Sequence, residues 1–164
     1  MKRIVLTLLT SFCFTLLVST THAQTSTYIL LRHAEKDTMR NDPPLTQAGE
    51  LRAKELLNVL KDYTPDEIYS TDFARTKATV APLAAKFNKG VHIYDPRNLA
   101  ALAETLLQQK GKTIIVVGHS NTTPALANLL LKENTYQDLP DSVYNQFWAV
   151  TVSAGKMVAS VVTY

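Results

Sequence analysis

Hydrophobic residues form short continuous runs, and these runs are separated by longer segments in which apolar and polar positions follow a helical period. Four runs rich in β-branched or aromatic residues predict β-strands, which cover residues 28–31, 67–70, 91–94 and 113–117. The run at 113–117 is almost wholly apolar, which is typical of a central parallel strand covered on both faces. The pattern therefore predicts a sheet with buried strands.

Helical patterns occupy the segments between these strands and follow the last of them. They predict four helices, over residues 46–63, 73–87, 98–109 and 120–132. Thr46 can cap the first helix, whose expected core-facing positions are four leucines: Leu51, Leu56, Leu57 and Leu60. Alternation of strand and helix favours a mostly parallel sheet with helices on both faces.

The pattern changes towards the end of the chain. Residues 147–153 and 156–162 are two extended apolar runs that flank Ala154-Gly155, which predicts a β-hairpin at one sheet edge. The fold class that we expect is therefore a three-layer α/β/α sandwich with a mostly parallel central sheet and a C-terminal β-hairpin.

The first 23 residues have a different character. Lys2-Arg3 form a basic start, residues 4–18 are apolar apart from Ser and Thr, and Ala23 is a small residue before Gln24. This arrangement is typical of a cleavable secretory signal, and a retained membrane anchor is the alternative, although the run is short for a spanning helix. We expect one domain over residues 24–164, in a periplasmic or secreted protein without a stable membrane anchor.

Charge excludes some classes of partner. The chain has 17 basic and 14 acidic residues, and two of the basic ones lie in residues 1–23, so 15 and 14 remain, for a net charge of +1. Residues 24–164 contain no run of basic residues, which disfavours nucleic acid or an anionic membrane surface as a partner. The single cysteine, Cys13, also lies in the first segment, and the remaining chain suits an oxidising compartment without disulfides.

Residues with useful chemistry follow each predicted parallel strand. They are Arg32-His33, Ser70-Thr71 with Arg75, Asp95, and Gly118-His119. A histidine at a strand end is often structural, and a lone helical arginine is often only a surface cation. The carboxyl ends of parallel strands meet at one edge of a sheet, however, where open α/β folds place their ligands. The combination therefore predicts a site.

Four motifs, in this order, resemble the histidine phosphatase superfamily, which is also called phosphoglycerate-mutase-like. They are Leu31-Arg32-His33-Ala34-Glu35, Leu45-Thr46-x-x-Gly49, Tyr69-Ser70-Thr71-x-x-x-Arg75 and Gly118-His119-Ser120. One departure is Ala34, where many members carry glycine. The short connections between elements resemble the compact single-domain members, whose site is open.

The resemblance implies a mechanism of phosphoryl transfer. His33 would attack phosphorus to form a phosphohistidine, which water then hydrolyses. Arg32 and Arg75 would hold phosphate oxygens with their planar guanidinium groups, and His119 would donate from another direction. This arrangement requires no metal or other cofactor. A metal site on His33 and His119 is a weaker alternative because it lacks a convincing third ligand.

The proton donor to the leaving group is left with two candidates. Asp95 is the first because it follows the third strand at the expected edge, although Asp95-Pro96 is also typical of a turn. Glu35 is the second, or alternatively a residue that holds the site together. The candidate substrate-binding residues are Asn121, Ser120, Lys36 and Glu35.

The expected function is a metal-independent phosphomonoesterase that acts on small or envelope-linked phosphate esters, such as phosphorylated sugars of the cell surface. Export fits poorly with a glycolytic mutase or with a phosphohistidine-protein phosphatase, whose substrates are cytosolic. The phosphohistidine-protein phosphatase remains an alternative, as does a sensor of the same fold that binds a phosphate ligand without turnover.

Overall fold

The computed structural model describes residues 24–39 and 41–164. The elements, in chain order, are β1 (Ser26–Arg32), α1 (Gln47–Val59), β2 (Glu67–Thr71), α2 (Ala74–Phe87), β3 (Val91–Tyr94), α3 (Leu99–Gln108), β4 (Thr113–Gly118), α4 (Thr122–Leu131), β5 (Gln146–Ser153) and β6 (Lys156–Thr163). The predicted secretory signal over residues 1–23 lies outside the described residues. None of the helices within them combines the length and apolar character of a membrane span.

All six strands form one sheet in the order β3-β2-β4-β1-β5-β6. The pairs β1–β4, β2–β4 and β2–β3 are parallel, whereas β5 runs antiparallel to β1 and to β6. Ala154 and Gly155 both have positive φ angles, 50° and 78°, as a tight two-residue hairpin turn requires. The mostly parallel sheet and its C-terminal hairpin are therefore confirmed.

Helices cover both faces of this sheet. Along β1, Tyr28 and Leu30 pack in a cluster with buried residues of α3 and α4, while Ile29 and Leu31 pack in another cluster with residues of α1 and α2. Successive side chains of a strand point to opposite faces, so one strand serves both cores. The predicted three-layer sandwich is confirmed.

The predicted core face of α1 was partly wrong. Leu56 and Leu60 are buried, but Leu51 is 62% exposed, and Ala53 takes the inward position. Leu51 precedes Leu56 by five residues, which corresponds to a rotation of about 140° around the helix axis. The helix also ends at Val59, four residues earlier than predicted.

The two central strands create a crevice at their carboxyl ends. β1 and β4 are neighbours, and Arg32 is the register partner of Gly118 at the end of the pair. The chain leaves β1 for α1 on one face of the sheet and leaves β4 for α4 on the other. Adjacent strands whose connections diverge in this way open a crevice between them, and such crevices hold ligands in open α/β folds.

Candidate active site

His33 lies directly beyond β1 and is only 3% exposed. Its Nδ1 lies 2.7 Å from the carbonyl oxygen of Ala34. A carbonyl can only accept a hydrogen bond, so Nδ1 carries the proton in the neutral ring and Nε2 keeps its lone pair. His33 is therefore held in the tautomer in which Nε2 is free to attack an electrophile.

The surroundings of His33 keep the ring neutral. Burial lowers the pKa of His33 to about 3, partly opposed by the hydrogen bond to Ala34 and assisted by the positive charges of Arg75 and Arg32. Desolvation disfavours the imidazolium form because a charged ring loses its hydration. His33 is thus a neutral nitrogen nucleophile throughout the ordinary pH range.

His119 follows β4 at the equivalent position, and its ring centroid lies 5.5 Å from that of His33. Arg75 NH2 lies 3.4 Å from Nδ1 of His119, and Thr71 Oγ1 lies 3.1 Å from Nε2. A guanidinium only donates, so Nδ1 accepts and Nε2–H donates to Thr71. Burial, followed by the charges of Arg75 and Arg32, lowers the pKa of His119 to about 4.

Arg32 is buried at the end of β1 and holds the segment before β5. Its NH1 group donates to the carbonyl oxygens of Pro140 at 2.9 Å, Asp141 at 3.3 Å and Val143 at 2.9 Å. The guanidinium carbon lies 4.1 Å from the ring centroid of Tyr144. Arg32 thus fixes the position of Tyr144, whose ring centroid lies 6.1 Å from that of His33.

Arg75 stands in the first turn of α2 and faces His119. Its NH1 group lies 3.7 Å from Asp42 Oδ1, and its guanidinium carbon lies 4.3 Å from the ring centroid of Phe73. Both carboxylate oxygens of Asp42 also accept from the backbone N–H of Ala74, at 3.0 and 3.1 Å. Phe73, the N-cap residue of α2, has no capping side chain, so Asp42 caps the helix from a distant loop.

The two arginines share an unusual feature. Among the described residues, the Nε atoms of both Arg32 and Arg75 are buried and have no hydrogen-bond acceptor. A buried donor without an acceptor is costly, and these two belong to the residue that precedes His33 and to the arginine that contacts His119. They suit a polyanionic ligand such as a phosphoryl group, whose oxygens accept several hydrogen bonds. Arg75 and His119 line an open groove of about 280 Å³ at this position.

The loop after His33 is held against α1 by a close backbone contact. Thr46 accepts a hydrogen bond from Gly49 N at 3.1 Å and so caps α1, as predicted, while Thr46 N donates to Glu35 O at 2.9 Å. A Cβ atom at Gly49 would lie 2.2 Å from that same carbonyl oxygen. Only glycine permits this approach, which explains the spacing in the Leu45-Thr46-x-x-Gly49 motif.

Gly118 has a similar role beside His119. A Cβ atom there would lie 2.6 Å from Thr122 Oγ1 and 2.9 Å from the hydroxyl of Tyr94. Thr122 Oγ1 in turn accepts from the backbone N–H of His119 at 2.8 Å. The missing side chain lets the first turn of α4 approach β4, and this contact orients the backbone of His119.

The predicted proton donor Asp95 is placed at the expected edge of the sheet, but its environment does not suit that role. Its carboxylate accepts from the backbone N–H, Nε and NH2 of Arg97, at 2.9 to 3.3 Å. Hydrogen bonds from Arg97 lower the pKa of Asp95, whereas a proton donor needs a raised pKa. Asp95 therefore stays ionised in this arrangement.

Glu35, the second candidate, is also held by an arginine. Arg52 donates to it through Nε and NH2, at distances of 2.7 to 3.0 Å. This hydrogen bonding lowers the pKa of Glu35 below its usual value. The geometry favours the alternative role, in which Glu35 ties the loop after His33 to α1.

The remaining candidates take structural contacts near the site. Lys36 forms a backbone bridge with Leu45. The side-chain oxygen of Asn121 caps α4 through the N–H of Thr122, at 2.9 Å. The carbonyl of Ser120 accepts from Leu139 N at 2.9 Å. Substrate binding by these residues stays a prediction.

Sequence reasoning did not single out several residues that build the site. Phe73 and Tyr144 contact the two arginines, and Asp42 pairs with Arg75. Tyr144 and Asp42 are distant in sequence from the arginines that they contact. The residues around them form no motif that would have indicated a role in the site. Phe73 lies within the motif that contains Arg75, so its position was a usable signal.

Comparison with known proteins agrees with this geometry. Residues 28–97 match the family model of the histidine phosphatase superfamily, branch 1. No curated protein matches the sequence significantly.

Solved structures of phosphatases share the fold at low sequence identity. The protein histidine phosphatase SixA complexed with tungstate is 17% identical with a TM-score of 0.67, and the match covers 84% of this chain and 96% of SixA. A mycobacterial glucosyl-3-phosphoglycerate phosphatase is 14% identical with a TM-score of 0.66, over 85% and 98% of the two chains. A phosphoserine phosphatase mutant from Entamoeba histolytica, in complex with phosphoserine, is 17% identical with a TM-score of 0.63, over 82% and 95%.

The family match covers three of the four motifs, and the fourth, Gly118-His119-Ser120, is brought beside them by a fold that phosphatases share. Residues 28–97 therefore match the histidine phosphatase superfamily, and the whole chain has a fold that solved phosphatases share.

Proposed function

We propose that this protein is a metal-independent phosphomonoesterase that works through a phosphohistidine on His33. One observation carries the proposal: a neutral imidazole with a free Nε2 directly follows Arg32 and lies beside His119, which Arg75 contacts, and the buried Nε donors of both arginines have no acceptor among the described residues. A phosphoryl group would accept from these donors and present its phosphorus to Nε2. The positive charge that phosphoryl transfer requires then comes from two guanidinium groups.

The reaction has two displacement steps. The lone pair of His33 Nε2 forms a bond to phosphorus, the ester P–O bond breaks, and the leaving oxygen takes a proton from water. A second water then attacks phosphorus, the N–P bond breaks, and inorganic phosphate is released. The hydrogen bond from Nδ1 to Ala34 O holds the ring in place in both steps and stabilises positive charge on it.

The substrate class that we propose is small or envelope-linked phosphate esters. The basic, apolar and small-residue pattern of residues 1–23 supports export, and the short connections around the site support an open entrance. Phosphorylated cell-surface sugars are accessible to an exported phosphatase.

A phosphohistidine-protein phosphatase is the second candidate, and one observation favours it. Both predicted proton donors are paired with arginines, Asp95 with Arg97 and Glu35 with Arg52. A site without a free acid suits leaving groups that need little help from one. The nitrogen of a phosphoramidate is more easily protonated by water than an ester oxygen is, so it leaves without a carboxylic acid nearby.

The test is hydrolysis of phenyl phosphate by the purified protein in excess chelator, with His33→Asn and His92→Asn compared. His92 is an exposed histidine outside the site, so its variant controls for loss of an imidazole. We expect chelator-resistant turnover that vanishes in His33→Asn and persists in His92→Asn. An acid-labile, base-stable phosphoenzyme should form only in proteins that retain His33.

Other outcomes would redirect the proposal. Turnover that survives in His33→Asn would exclude His33 as the nucleophile. Binding of inorganic phosphate without turnover of any ester or phosphoramidate would favour the sensor alternative. Turnover of a phosphohistidine peptide at least as fast as that of phenyl phosphate would favour the second candidate.

A further inference from the structure

A second groove opens beside the one that contains His119 and Arg75. It has a volume of about 590 Å³ and runs along the end of β3. Phe73, Pro96 and Arg97 line both grooves, so the two are adjacent. A ligand whose phosphoryl group lies between Arg32 and Arg75 could extend into this second space, which we call the leaving-group groove.

The surface of the leaving-group groove is largely apolar. Ile93, on the edge strand β3, is 53% exposed there, although large aliphatic side chains are usually buried. The ring of Phe73 packs edge-on against His119, with the centroids 5.2 Å apart. The hydroxyl of Tyr94 donates to Val117 O at 3.1 Å, so its polar atom is already used inside the protein. The groove thus offers aromatic and aliphatic contacts beside the phosphoryl site.

The charged groups of the leaving-group groove neutralise one another. Asp95 pairs with Arg97 at 2.9 Å, and Asp72 pairs with Lys77 at 2.6 Å. The carboxylates of Asp72 and Asp95 are both paired with a cation, and the guanidinium of Arg97 is paired with Asp95. The groove therefore has no charge complementary to a second anionic group on the substrate.

We propose that the leaving-group groove binds the leaving group of the substrate, and that this group is uncharged, apolar and about the size of one or two aromatic rings. The inference rests on the proposed phosphatase function, and within small phosphate esters it favours apolar leaving groups over the hydroxyl-rich leaving groups of phosphorylated sugars. The volume of the leaving-group groove falls within the usual range for small-molecule pockets. Ile93 and Phe73 are then specificity-determining residues, because they supply the apolar contact next to the reacting phosphoryl group.

The test compares three aryl phosphates whose leaving groups have similar chemistry. They are phenyl phosphate, 2-naphthyl phosphate, which adds apolar area, and 4-carboxyphenyl phosphate, which adds a negative charge. We expect kcat/KM to be about fivefold higher for the naphthyl ester than for the phenyl ester, because of the added buried apolar area. The carboxyphenyl ester should be the poorest of the three.

Ile93→Ser shows whether the leaving-group groove causes this preference. Val158→Ser is the matched control, since Val158 is 52% exposed on the opposite edge strand, β6. The naphthyl preference should fall to about twofold or less in Ile93→Ser through a higher KM, and should not change in Val158→Ser. Equal kcat/KM for the naphthyl and phenyl esters, preference for the carboxyphenyl ester, or equal effects of the two variants would overturn the proposal.

Failure of the phosphatase function would be distinguishable from failure of this inference. If the protein turned over none of the three esters, calorimetric titration with phenyl and 2-naphthyl phosphate would measure binding instead. Tighter binding of the naphthyl ester that depends on Ile93 would support the leaving-group groove in a protein that only binds. Equal affinities would overturn it.

Discussion

His33 and His119 lie side by side because they follow register partners: Arg32 and Gly118 end the paired strands β1 and β4, and the two imidazole centroids are 5.5 Å apart. Residues about 86 positions apart in the sequence are thus brought together by strand pairing, not by local structure. His33 is buried and His119 is half-buried, and desolvation together with the charges of Arg75 and Arg32 keeps both rings neutral in the resting protein.

Desolvation of the two histidines makes stability depend on pH. The unfolded chain binds protons at the ordinary imidazole pKa of 6.5, whereas the folded chain binds them only near pH 3 for His33 and pH 4 for His119. Between these values the unfolded state holds more protons, so the free energy of unfolding falls as the pH falls below 6.5. The expected slope is up to about 1.4 kcal/mol per pH unit for each histidine.

Urea unfolding at pH 7, 6 and 5 measures this slope. Replacing His33 by Asn should reduce it by about half, because one of the two groups is removed. Stability that does not vary between pH 7 and 5 would show that the imidazoles titrate alike in the folded and unfolded states.

Arg75→Lys should weaken phosphate binding although it keeps the charge. The guanidinium contacts His119, Asp42 and the ring of Phe73 at once, and a single ammonium group cannot reproduce these directions. We expect binding of inorganic phosphate, measured by calorimetry, to weaken about tenfold to hundredfold. Arg97→Lys, on an exposed side chain, should change it about twofold or less. Equal effects of the two variants would remove Arg75 from the phosphate site.

Asp95→Asn tests whether Asp95 is the proton donor. Its carboxylate is occupied by Arg97 and is ionised, so its loss should lower kcat about threefold or less, equally for phenyl phosphate and for an alkyl phosphate. A general acid matters most for poor leaving groups. A much larger loss on the alkyl ester would restore Asp95 as the proton donor.

Gly49→Ala should destabilise the protein through the backbone contact with Glu35. The added Cβ atom would lie 2.2 Å from the carbonyl oxygen of Glu35, so the loop after His33 must move. We expect the free energy of unfolding to fall by about 2–3 kcal/mol in chemical denaturation. Gly90→Ala is the control, because a Cβ atom there meets nothing within 4 Å. Similar stability of the two variants would show that the loop yields without cost.

Sequence periodicity was sufficient to predict each strand and helix of the described chain, and most of their ends to within two residues. Burial of one or both faces of an element makes apolar residues recur with the period of a strand or a helix, and this recurrence is visible in the sequence. It was weaker on the faces of α1. Leu51 belongs to the apolar pattern but is exposed, since only the packing partner decides which part of an apolar stripe is covered.

By itself, the sequence determined the α/β architecture, the family motifs and the four residues that gather at the carboxyl ends of the strands: Arg32, His33, Arg75 and His119. Only the tertiary structure decided their protonation and partners. Asp95 forms an ion pair with Arg97, and Glu35 forms one with Arg52. The Nε donors of Arg32 and Arg75 have no hydrogen-bond acceptor among the described residues. Such pairings depend on distances between groups far apart in the chain, and on desolvation by the surrounding fold, which a linear pattern does not contain.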